Sequence, residues 1–281
     1  MGRAYRIAMD AFWRFNEDDG WAIASHIALS ALMSLFPFLI VVTALAALFG
    51  SKDLADETAR LMLEAWPKEV AVPIAGEIRD VLTNLRTDVL TFGVLAAVYF
   101  STSGIDSLRI GLNRAYGVKE PRRWWWLRLE SIGYVLVGAA ALLAFSFLIV
   151  LWPLLWATAV RFFPALPQLD GTVTLLRYGL ASAVIVVTLV IVHLWLPAGR
   201  RRLAEIAPGI LVTLALWLVA GAVFGRYLAD FAYTYVTIYA GLASAMIALV
   251  FLYLVASIFV YGGEFNAAIA RERAARRNPE N

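Results

Sequence analysis

Asp106, Arg109, Asn113 and Tyr116 follow one another at steps of three, four and three, which puts all four on one face of a helix. Ser101 and Ser103 come just before them, and Asp106 and Arg109 are close enough on that face to pair. An acid, a base, an amide and a phenol in one stripe could line a cytoplasmic-side cavity for an anionic or amphipathic ligand. The same stripe could be the wet face of an interfacial helix, and spacing alone favours that reading. Three more polar groups stand at the edges of apolar runs. Asp18, Asp19 and Gly20 precede the first run, with His26 about one and a half turns inside it. There His26 could relay protons or serve as a hydrogen-bonded packing residue. His193 sits near the end of another run, beside Trp195 and an arginine cluster, where an interfacial role suits it. Glu264 and Asn266 close the last run.

Much other chemistry is excluded. The chain has no cysteine and two histidines, so thiolate metal sites, disulfides and cysteine nucleophiles are absent and a histidine-rich metal centre is not expected. No GxxxxGK[ST], HExxH or GxSxG occurs. Gly199 precedes Arg200, Arg201 and Arg202, and this reads as an ordinary positive loop rather than a phosphate cradle. No metal and no cofactor is expected, and the net charge of +3 is too small to suggest nucleic-acid binding.

The elements that must position these residues follow from composition. Of 281 residues 62% are apolar and 16% charged, against ~25% charged in an average soluble protein. Six stretches lack Asp, Glu, Lys and Arg: 20–51, 89–105, 131–160, 178–199, 206–225 and 231–263. Their continuous Leu, Ala, Val and Phe lack the alternation of a barrel strand, so they read as membrane-crossing helices. The predicted class is an all-α, polytopic membrane protein with six transmembrane helices. With all six spanning and the N-terminus inside, 16 of the 24 Lys and Arg fall on the cytoplasmic side. Acidic residues divide almost evenly, 11 to 10, so the bias is carried by the cations. Without the short second run, six cations of segment 106–130 would move outside. Both termini are therefore expected in the cytoplasm.

The expected organisation is a single integral membrane domain over 1–281. Residues 1–19 form a cytoplasmic interfacial helix, with Tyr5, Met9, Phe12 and Trp13 on its apolar face and arginines opposite. No cleavable signal is read there. Residues 52–88 form an extracytoplasmic helical pair, and 264–281 a basic cytoplasmic tail. The RRWWWLR run at 122–128 suits lipid phosphates and the headgroup layer. The first run would make a helix of about 48 Å in a core of ~30 Å, with a kink expected at Pro37. Ala24, Ala28, Ala31, Ser30 and Ser34 give it small faces for close packing. Gly221 and Gly225 form a GxxxG that reads as a packing device.

Three pieces of the chain resemble the YihY/BrkB membrane-protein family, a bacterial family once labelled ribonuclease BN. They are Asp19-Gly20 followed by Ala24, Ala28, Ser34 and Pro37; STSGIDSLRIGLNRAYG at 101–117; and YAGLASAMIALVFLYLVASIFVYGGEFNAAIA at 239–270. Gly263 is a minor departure from the family's Gly-Ala-Glu. The resemblance implies a six-span protein of the bacterial inner membrane, concerned with envelope integrity or with export of lipid or other molecules. It matches Asp106, Arg109, Asn113, Tyr116, Glu264 and Asn266 position by position, and so favours a shared cavity over a solvent-facing stripe. The candidate cavity or substrate-binding residues are Asp19, His26, Ser103, Asp106, Arg109, Asn113, Tyr116, Glu264 and Asn266. The expected function is transport or lipid translocation, with membrane lipids as partners and a lipid or small molecule as substrate. A non-transporting scaffold or envelope-assembly factor, contacting a partner through 52–88, is the alternative. A ribonuclease is not expected, because two membrane-embedded histidines and no cysteine do not supply the metal centre such a reaction needs.

Overall fold

The computed structural model describes residues 2–49, 87–162, 170–239 and 242–277, and all regular structure among them is helical. The helices are α1 (Arg3–Glu17), α2 (Gly20–Phe49), α3 (Thr87–Ala115), α4 (Trp124–Ser146), α5 (Trp152–Phe162), α6 (Asp170–Trp195), α7 (Leu203–Tyr239) and α8 (Ala243–Arg277). The helical pair expected over 52–88 lies, apart from its last two residues, outside the described residues.

Among the described residues four stretches are long and apolar enough to cross a membrane: Trp124–Ile149, Asp170–Trp195, Leu203–Ala229 and Ala243–Arg276. Their large apolar side chains point outward. Leu136 of α4 is 65% exposed, Leu175 of α6 74% and Leu218 of α7 76%, as helices solvated by lipid require. The protein is therefore a multi-pass, all-helical membrane protein. The other two of the six expected runs are not among these four. The first lies in α2, which carries no Asp, Glu, Lys or Arg over Gly20–Phe49. The second lies in α3, where Ser101, Thr102 and Ser103 lead directly into Asp106 and Arg109.

Two local features follow from single residues. Between α4 and α5, Phe147–Leu151 widen into a π-turn, and the Trp152 N–H reaches back to the Phe147 carbonyl. Pro153 follows at once; having no N–H, it suits the first turn of α5 and not a continuous α-helical ladder. Helix α2 runs through Pro37 without a break.

The chain forms two compact units. One comprises residues 1–18, 109–214 and 260–281, and the other residues 19–108 and 215–259. In the first, Ile7, Ala11 and Phe15 make a stripe at steps of four that α1 buries, and Ala268 of α8 joins it in one core. Tyr261, Phe265 and Ile269 pack around that core. Arg271 donates to Asp10 at 2.9 Å, Arg3 to Glu272 at 3.1 Å, and the Tyr261 hydroxyl to the Ala8 carbonyl at 3.1 Å. The stripe α1 buries in protein is Ile7, Ala11 and Phe15, a face the expected apolar set does not include, and Tyr5, Phe12 and Trp13 stay exposed. Residues 264–277, expected as a tail, continue α8 and carry its contact with α1.

In the second unit α2 buries Ala24, Ala28 and Ser30. A Cβ on Gly104 of α3 would lie 3.4 Å from the Ser30 Cβ, an ordinary contact. The small faces of the first run thus pack as expected. A side chain at Gly221 or Gly225 of the GxxxG would meet nothing among the described residues. The close approach of α7 to α8 falls instead in the first unit, at Gly209 and Gly262. A Cβ on Gly209 would run into the Gly262 carbonyl and Asn266, and one on Gly262 into the Thr213 hydroxyl. Spacing on α7 cannot reveal this, because the opposing surface belongs to another helix.

Candidate functional site

Helix α3 ends on Gly117, whose φ of +62° is the left-handed conformation that favours glycine. The Gly117 N–H bonds the Arg114 carbonyl and the Val118 N–H the Asn113 carbonyl, closing the helix as a Schellman-type turn. This stop turns the chain just past Tyr116 and brings Glu120 and Arg122 back beside Asn113. Asn113 is buried, its Nδ2 donates to Glu120 at 3.0 Å, and its Oδ1 accepts the Ala198 N–H at 2.7 Å. Having a donor on one side and an acceptor on the other fixes the amide orientation.

Arg122 grips Glu120 through Nε and Nη2 at 2.7 and 2.8 Å, reaches Glu130 through Nη1 at 2.7 Å, and donates to the Leu196 carbonyl at 2.9 Å. The Arg122 guanidinium holds the Glu120 carboxyl down to about 2, against the desolvation that partial burial imposes. In return the two carboxylates, Glu120 first, raise Arg122. Asn113 and Arg122 together fasten the 196–198 segment, whose three residues are all buried.

A second cluster joins α3, α7 and α8 within the same unit. Asn266, 2% exposed, accepts the Gly209 N–H on Oδ1 at 2.6 Å and donates from Nδ2 to the Tyr116 hydroxyl at 3.3 Å. Arg201 lies over the Tyr116 ring with its Cζ 3.8 Å from the centroid. Burial raises Tyr116 above the usual phenol range, keeping the hydroxyl protonated, and burial likewise lowers Arg201. Glu264 is 1% exposed, and its Oε2 has no hydrogen-bond donor within reach among the described residues. Asp18, Arg271 and Arg14 are the charged groups that act on it. Gly263, beside it, packs so closely that a Cβ would lie 2.7 Å from Leu112.

Arg109, 3% exposed, donates to Ser131 at 2.8 Å and to the Leu127 carbonyl at 3.3 Å. Arg109 and Asn113 are therefore interior groups that brace α3 and not a face turned to water. His193 is also an interior group, 0% exposed with Nδ1 on the Leu189 carbonyl at 2.9 Å. Its expected interfacial role is corrected: the ring points into the protein, while neighbouring Trp195 points out.

The remaining candidates belong to the second unit. Asp19 is exposed and holds φ +58°, making the turn from α1 into α2 and accepting the Ile23 N–H on its carbonyl. Asp tolerates that conformation better than most residues. His26 meets the Ser107 hydroxyl at 2.5 Å and Ser30 at 3.5 Å, while the Ser107 hydroxyl donates to the Ser103 carbonyl at 3.1 Å. Asp106 is half-buried. Sequence reasoning passed over Glu120, Ser107 and Ser131 and took Arg122 and Arg201 only as interfacial charge. No helical periodicity of their own flagged any of the five. Among the described residues no three of His, Cys, Asp and Glu converge as metal ligands.

Long apolar helices with buried polar groups at their ends define the class: an integral membrane protein. Over residues 11–281 the chain matches the model of the family described as Virulence factor BrkB, and it belongs to that family. It is 25% identical to a ribonuclease-like protein, YfkH, of Bacillus subtilis, over 96% of this chain and 98% of that protein. It is 26% identical to a UPF0761 membrane protein of Rhodospirillum centenum, over 96% of this chain and 58% of the longer relative. A UPF0761 membrane protein of Aeromonas salmonicida is 26% identical, over 91% of this chain and 86% of that protein. No solved structure matches the chain.

Proposed function

We propose that this protein translocates lipid across the bacterial inner membrane, with the cluster of Tyr116, Asn266 and Glu264 receiving the polar part of the cargo. Both termini are cytoplasmic in this reading, which rests on the distribution of Lys and Arg. The observation that carries it is Glu264, a carboxyl group within a membrane-crossing helix, fully buried, with an oxygen that no donor reaches among the described residues. Burying such a group costs several kcal/mol, which is why intramembrane ionisable residues mark transport paths. The ribonuclease-like name of one relative is not adopted, because nothing in the polar clusters resembles a nuclease centre. Membrane lipids are the partners, and no nucleic acid is involved.

The test is a bleaching assay on liposomes that hold purified protein and fluorescent phosphatidylglycerol. Dithionite added outside quenches the outer leaflet only, so protein-free vesicles lose about half their signal. Vesicles with the wild-type chain should lose well over half, and Glu264→Gln should slow that loss at least tenfold. Bleaching that stops at the protein-free level with folded wild-type protein overturns the reading.

A further inference from the structure

We propose that the 194–201 segment and Arg122 form a binding site for the phosphate headgroup of an anionic phospholipid. A cavity of about 500 Å³ opens there, with Arg122, Arg200 and Arg201 on its polar side and Leu194, Trp195 and Pro197 on its apolar side.

The cations differ in what they have left to offer. Arg122 is committed to Glu120, Glu130 and the Leu196 carbonyl, so it shapes the wall and adds little free charge. Arg201 is stacked on Tyr116, and its Nη1 is buried without a hydrogen-bond partner among the described residues. A buried guanidinium N–H without an acceptor is costly, and a phosphate oxygen is the acceptor its planar fork fits best. Arg200 is exposed on the same rim. Glu205, the nearest acid in sequence, accepts the Arg202 N–H at 2.9 Å and caps the start of α7. The positive end of that 37-residue helix adds to the field of the rim.

Depth and shape favour a lipid over a free ion. The site lies where α6 ends and α4 begins, tied together by the bond from Arg122 to Leu196. Trp195 is 62% exposed there, and Trp124, Trp125 and Trp126 are exposed at the start of α4. Tryptophans collected at span ends mark the headgroup layer. Gly199, with φ +89°, turns the chain so that the arginines follow directly on the buried 196–198 segment. An acyl chain can then run along Leu194 and Trp195 while the phosphate meets Arg200 and Arg201.

The site is defined by binding, so its test does not depend on lipid movement. Delipidated full-length protein is titrated with phosphatidylglycerol or phosphatidylcholine, and bound lipid is counted by native mass spectrometry. Each lost arginine should weaken phosphatidylglycerol about fivefold, and Arg200→Gln with Arg201→Gln together about 30-fold. Phosphatidylcholine should change far less. Arg273→Gln, a cation lost from exposed α8 surface, should leave binding as it was. Arg200→Gln touches an exposed loop side chain and reads the site even if loss of the Arg201 stack disturbs folding. Equal weakening by Arg273→Gln, or no change in the Arg200→Gln and double variants, overturns the site. Displacement of the lipid by inorganic phosphate at equal concentration overturns the lipid assignment.

Discussion

Replacing Gly209 with alanine puts a methyl group where α7 and α8 leave no room. The new Cβ would stand 2.5 Å from the Asn266 Cγ and closer still to the Gly262 carbonyl, against ordinary carbon contacts of about 3.5–4.0 Å. The helices must part by about 1 Å at this point, which overpacking series place at about 1–3 kcal/mol. Parting also stretches the bond from the Gly209 N–H to Asn266, 2.6 Å in the native protein. A buried pair left unsatisfied costs about 1–3 kcal/mol more. Alanine returns about 1 kcal/mol through helix propensity, leaving a net loss of about 1–5 kcal/mol. Gly221→Ala and Gly225→Ala lie on the same helix with open space around them among the described residues, and each should stabilise by about 0.5–1 kcal/mol. The assay is thermal unfolding of purified protein followed by intrinsic fluorescence, which ten tryptophans make strong and the lack of cysteine makes preferable to thiol dyes. Gly209→Ala should melt several degrees below wild type, and the other two at or above it. A Gly209→Ala protein as stable as wild type would refute the close packing on which the Asn266 cluster depends.

The Glu120 and Arg122 pair makes stability depend on acid. Glu120 titrates at about 2 in the folded protein and near ~4.3 when unfolded, so its contribution is complete above that range and is lost as pH falls through it toward 2. Glu120→Gln should remove that part of the decline, seen as a smaller difference in melting temperature between pH 6 and pH 3. Asn113→Ala strands the Ala198 N–H, while Glu120 keeps its bonds from Arg122, and should cost about 1–3 kcal/mol. Faster proteolysis within 196–202 would report the loosened segment; an unchanged cleavage rate would show that Asn113 does not hold it.

The helical class was legible because burying a backbone in lipid leaves few solutions, whereas helix length was not: α7 has 37 residues over an apolar run of 206–225. The polar clusters were only half legible. Asp106, Arg109, Asn113 and Tyr116 share a helical face, and that face is all that spacing can reveal. Asn113 meets Ala198 and Asn266 meets Tyr116 across separations of 85 and 150 residues, set by which helix ends come together and not by any local pattern. The same limit explains the glycines. The GxxxG at 221 and 225 is conspicuous in one dimension and open among the described residues, whereas the tightly packed Gly209 is marked only by the Pro208 before it.

By itself the sequence determined that the chain is helical, apolar and membrane-embedded, and which few ionisable residues lie within or beside its spans, because the energetics of hydrocarbon burial act residue by residue. Tertiary structure alone decided that Arg109 and Asn113 are interior braces, that His193 and Glu264 are enclosed, and that two arginines of an ordinary positive loop border a cavity. Those outcomes depend on partners distant in sequence, and a buried charge or amide acquires its role from the group that folding places opposite it.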